Sequence, residues 1–158
     1  MPRKNIASWP VFALGFRPMF LLASLAGAIL IGLWMVLWSG AALHLPYMNP
    51  TLWHAHEMVF GFAAAVVAGF LLTAIQNWTG IPGVHGIRLV ILTTAWLCAR
   101  ILAFIPYALP FTAVASVGFL LLLFFFLLPY LMVPNQRRNI VVAIIALVLV
   151  AGDVLFFL

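Results

Sequence analysis

Five long apolar runs constrain this chain more than anything else in it: Pro18–Trp38, Leu52–Gln76, Ile87–Ile105, Phe111–Met132 and Ile140–Leu158. A helix needs about 20 apolar residues to cross a hydrocarbon core of about 30 Å, and these runs lack the alternation of barrel strands. With 68% hydrophobic and 6% charged residues and a mean hydropathy of +1.29, too little polar surface remains to face water. The expectation is an all-α, polytopic transmembrane helix bundle of about five spans, with residues 1–158 as a single transmembrane domain in the lipid bilayer. A cleaved signal peptide, cut near Ser39–Ala42, is the competing reading of the first run. That run exceeds the roughly 7–15 residues of such a segment, and Trp34 and Trp38 at its far end suit an interfacial belt.

The net charge of +5 does not point to nucleic acid. Arg3, Lys4, Arg88, Arg137 and Arg138 sit at ends and in loops, where topology places basic residues. Loops Ala41–Thr51 (with His44, Tyr47, Pro46 and Pro50) and Pro106–Pro110 carry no Lys or Arg. The basic segments therefore share one side, which puts the N-terminus in the cytoplasm and the C-terminus outside. An odd span count suggests part of a larger bundle. The single cysteine, Cys98, can form no intrachain disulfide and reads as a buried, inert thiol. Phe124, Phe125 and Phe126 read as lipid-facing bulk.

The stretch Trp53–Gly80 holds the chemistry. It opens with Trp53, His54, Ala55, His56, Glu57 and Met58 and then turns apolar. Histidines and a carboxylate at the mouth of a membrane helix are costly, so something must compensate. At 1.5 Å per residue, Arg100 lies roughly 18 Å beyond Arg88 and Asp153 roughly 20 Å beyond Ile140. Both fall in the outer half of the bilayer, at the level where His54, His56 and Glu57 enter it.

On a regular helix, Glu57, Met58, Gly61, Ala65, Gly69 and Leu72 share a face with His54, and His56 falls opposite with Phe60, Ala63 and Val67. The two histidines then cannot hold one metal, unless the helix begins only at Glu57. The stripe Gly61, Ala65, Gly69 permits close approach of another helix or a flat ligand. Each feature also has a plainer reading. In it the histidines are interfacial hydrogen-bonding groups, Glu57 is the ion-pair partner of Arg100, Asp153 is an interfacial residue, and Met58 is packing. Against these stand metal ligation by imidazole, a proton-carrying Glu57, and an Arg100 fork that suits carboxylates.

Three segments, Leu14–Ala23 (LGFRPMFLLA), Trp53–Gly80 (WHAHEMVFGFAAAVVAGFLLTAIQNWTG) and Trp96–Ala103 (WLCARILA), resemble the NnrS family. The resemblance covers essentially the whole chain, which would form the N-terminal five of roughly twelve spans. It implies a multi-pass protein of the bacterial inner (cytoplasmic) membrane that binds haem and copper and acts in nitric oxide tolerance, nitrosative stress and denitrification. His54, His56, Glu57, Arg17 and Arg100 stand at positions that match the family's motifs. An Asn and a later His expected near the end of span five are replaced here by Asp153 and Phe157, which puts a ligand from that span in doubt.

What the resemblance implies is therefore that His54 and His56 are the haem and copper ligands and that His54, His56, Arg100 and Arg17 bind the cofactor. Arg100 would pair with a propionate or Glu57, and Glu57 would act as proton carrier or histidine partner. Nitric oxide is the implied ligand, and whether any reaction is catalysed stays open. A small-molecule or metal transporter using His54, His56, Glu57, Arg100 and Asp153 is the alternative, and a subunit of a larger oxidase a third reading. Association with further transmembrane helices or a second copy would use the small-residue face.

Overall fold

A computed structural model describes residues 6–40, 45–46, 48–133 and 137–158, with the side chains of Arg137 and Arg138 left aside. Arg3, Lys4, His44 and Tyr47 lie outside the described residues. Among the described residues there is no strand. Two 3-10 turns (Ile6–Ser8 and Pro10–Ala13) lead into α1 (Phe16–Trp38). Next, α2 (Pro50–His56), a π-helical stretch (Glu57–Ala63) and α3 (Ala64–Thr79) run on as one rod, followed by α4 (Ile87–Leu102), α5 (Leu109–Leu131) and α6 (Arg137–Phe157).

Four rods have the length and composition to cross a membrane: Phe16–Trp38, Pro50–Thr79, Leu109–Leu131 and Asn139–Phe157. The fifth, α4, has 16 residues, about 24 Å at 1.5 Å per residue. Its end is continued by turns, with Phe104 N–H bonded to Ile101 O and Ile105 N–H to Leu102 O. The expectation of about five apolar helical spans is met.

Local chemistry sets the rod ends. The Asn49 side chain accepts from Leu52 N–H at 2.9 Å, and Pro50 occupies the first turn. That cap and a proline pre-set for helical φ start the second rod ahead of Leu52, inside what reads from sequence as loop. At the other end Gly80 adopts φ 73 and its N–H bonds Gln76 O at 2.9 Å, the left-handed stop that glycine takes without a Cβ clash.

The core is built on antiparallel contacts of α1 with α3, α4 with α5 and α5 with α6. Met19, Ala23 and Leu30 put α1 into that core. The Gly61, Ala65, Gly69 stripe is buried within the chain. A Cβ on Gly69 would lie 2.7 Å from the Phe20 ring, and one on Gly61 2.7 Å from Glu57 Oε2. The expected small-residue face for association is thus already consumed by α1 and by the chain's own polar cluster. Cys98 corrects another expectation: it is exposed on the outside of the bundle rather than buried. Phe125 is exposed as expected, whereas Phe126 packs partly on the core.

Candidate functional site

The π-helical stretch begins at the polar cluster itself. Its wider turn leaves backbone carbonyls poorly matched, and such stretches concentrate at functional sites. Gly61 O, which also takes the Ala64 N–H, accepts the Trp96 indole N–H at 3.0 Å, tying the second rod to α4. Because Gly61 has no side chain, Glu57 can fold back over it toward α4, where a Cβ would collide with the carboxylate.

Four ionisable side chains then meet in one buried chain. Arg100 Nε lies 2.8 Å from Glu57 Oε2. Glu57 Oε1 is 3.2 Å from His56 Nδ1, and His56 Nε2 is 2.8 Å from Asp153 Oδ1. Exposures are 8% for Arg100, 1% for Glu57, 2% for His56 and 0% for Asp153. The Arg100–Glu57 contact is a close ion pair whose N–H does not point along it, since neither Arg100 Nε nor Glu57 Oε2 makes a well-aligned hydrogen bond. Asp153 is no interfacial residue: it is fully enclosed, and α6 brings it to the π-helical stretch with Gly152 against Phe60. The ion-pair reading of Glu57 and Arg100 describes the geometry.

His56 has both ring nitrogens engaged and is enclosed by Phe60, Phe156 and Phe157, at centroid distances of 5.2, 4.6 and 5.1 Å. His54 differs. Its ring stacks on Trp34 of α1 at 4.4 Å and 18°, and its buried Nδ1 has no partner. The rings serve different neighbours. Because the helix starts at Pro50 rather than Glu57, the condition for joint ligation is not met. Among the described residues no three His, Cys, Asp or Glu side chains are grouped to hold a metal ion.

Other sequence candidates lie elsewhere. Arg17 is at the opposite end of α1 from Trp34, about 25 Å away along the helix, and donates from Nη1 to Pro10 O at 2.8 Å. Met58 packs partly on the core. From sequence Trp34 reads as an interfacial anchor and Gly61 as part of a close-packing stripe, and Trp96 has no separate role. In the structure Trp34 stacks on His54, Trp96 lies against Arg100 and Gly61 leaves room for Glu57. Aromatic residues at interfacial depth read as an anchoring belt, so nothing distinguished these two tryptophans as site residues.

The model of the NnrS protein family matches residues 10–158. The chain belongs to the NnrS family. No curated protein and no solved structure matches it. Membership is consistent with a membrane protein of the nitric oxide response, and all four ionisable residues of the buried chain fall inside the matched region.

Proposed function

We propose that this chain is a haem-binding membrane protein acting in nitric oxide tolerance, with His54 as the iron ligand. The observation that carries this is the unpartnered, buried Nδ1 of a His54 ring fixed flat against Trp34. A buried nitrogen without a partner is costly and calls for one. Neutral imidazole is the common haem ligand, and iron with an open position binds diatomic molecules such as nitric oxide. The residues fit that group in this respect. Trp34 fixes the ring plane. His56 is held by two carboxylates and acts in support rather than as a ligand.

Copper finds no grouped donor set among the described residues. The inner membrane, with the N-terminus cytoplasmic, is the location that the basic loops favour. Transport is less well supported, because Arg100, Glu57, His56 and Asp153 close on one another instead of standing free along a path.

The test is a reduced-minus-oxidised spectrum of purified protein with elemental iron, repeated for His54→Ala and His56→Ala. Loss of the Soret band in His54→Ala with its retention in His56→Ala supports the assignment. A pigment indifferent to His54→Ala, or a pure, folded protein free of haem, refutes it.

A further inference from the structure

A bilayer-facing groove of about 440 Å³ runs between α1 and α4, walled by Leu25, Ala26, Ile29, Trp96 and Phe104 with Arg100 at its floor. That volume lies in the range of small-molecule sites, about 300–1,000 Å³. Glu57 takes only the Nε edge of Arg100, which helps to line the groove; its Nη1 and Nη2 are buried and have no protein partner. A guanidinium more than nine-tenths buried with two idle nitrogens is a strong demand for acceptor oxygens.

The charge of the cluster decides what kind of acceptor. His56 faces a carboxylate from each nitrogen, so each contact needs a proton. If the ring carries both protons, Asp153 and Glu57 are ionised and the charges of His56 and Arg100 cancel them. If the ring carries one proton, one carboxyl carries the other, and the remaining carboxylate cancels Arg100. With one proton on each contact and no further proton, the charges sum to zero across Asp153, His56, Glu57 and Arg100. An added carboxylate would leave one uncompensated charge in a low-dielectric site, which is costly.

Depth points the same way. Arg100 is roughly 18 Å along α4 from Arg88, past the middle of a core about 30 Å thick. Lipid ester carbonyls stay near the interface, whereas a neutral ring bearing carbonyl oxygens dissolves in the core itself.

We propose that the α1/α4 groove is a binding site for a lipid-soluble quinone. A ring carbonyl accepts hydrogen bonds from Nη1 and Nη2 of Arg100, Trp96 and Phe104 flank the ring, and its tail leaves between Leu25 and Ile29 into the bilayer. The site does not depend on His54 or on haem.

The experiment is isothermal titration of decylubiquinone into the protein in lipid nanodiscs, with the Soret band of the same samples recording haem independently. Wild type should show one saturable site. Ile29→Phe, which narrows the groove at a lipid-exposed wall and leaves the charged chain untouched, should weaken binding about tenfold or more. Arg100→Gln, which keeps fewer donors, should weaken it by a similar factor, with thermal unfolding of both variants checking the fold. Absence of saturable binding, or binding unaffected by Ile29→Phe, overturns the proposal. So does displacement of the quinone by palmitate or hemin, which would assign the groove to an acidic amphiphile.

Discussion

His56 and Asp153, 97 positions apart in sequence, meet at 2.8 Å between His56 Nε2 and Asp153 Oδ1. The contact ties α6 to the second rod and closes a buried chain of four ionisable groups. Removing one member leaves its neighbour buried and unmatched. Asp153→Leu should therefore destabilise the folded protein by about 3–5 kcal/mol, and Asp153→Asn, which keeps an acceptor oxygen, by less. Thermal unfolding in detergent, ranked against wild type, reads this out. Equal stability of all three would show that the contact contributes nothing.

Glycine substitutions separate space from helix propensity. A methyl group on Gly61 would lie 2.7 Å from Glu57 Oε2, whereas one on Gly32 meets nothing within 4 Å. Gly61→Ala should cost about 1–3 kcal/mol by overpacking. Gly32→Ala should be neutral, or stabilising by up to about 1 kcal/mol, as alanine replaces glycine in a helix. The same unfolding assay compares them.

Trp96→Phe keeps the ring bulk and removes the donor to Gly61 O. Gly61 O keeps the Ala64 N–H, so loss of the indole bond should lower stability by about 0.5–1.5 kcal/mol. The π-helical stretch should then exchange its amide protons faster, which hydrogen exchange resolved at Glu57–Ala63 would detect. Unchanged exchange there would mean that the indole does not hold the stretch.

Cys98 faces outward from a helix read as membrane-spanning. In intact membranes it should resist charged, water-soluble thiol reagents, because such reagents do not enter the hydrocarbon core. After denaturation the same thiol should label fully. Rapid labelling in the native membrane would place this part of α4 in water.

Much of the fold could be read from the residues because the bilayer simplifies the problem. An apolar run long enough to cross it has few alternatives to helix, and a fixed rise per residue places Glu57, Arg100 and Asp153 at one level. The lateral arrangement was another matter. Depth alone does not reveal which helices are neighbours, so the pairing of His56 with Asp153 and the covering of Gly69 by Phe20 were not accessible. The start at Pro50 was carried by the Asn49–Pro50 pair, a capping signal masked by its position in an apparent loop. Cys98 was misplaced because an apolar run looks alike on its core and lipid faces. A cysteine serves either.

The π-helical stretch also acts as an angular offset built into the second rod. Upstream of it, the ring of His54 meets Trp34 and that of His56 meets Asp153; downstream, Ala65, Gly69 and Leu72 line the core. Winding the same residues Glu57–Ala63 as ordinary α-helix would leave an apolar segment still able to span. It would also turn the upstream part by about 100° relative to the rest. Composition and hydropathy would scarcely register the change, yet both histidines would part from their neighbours at once.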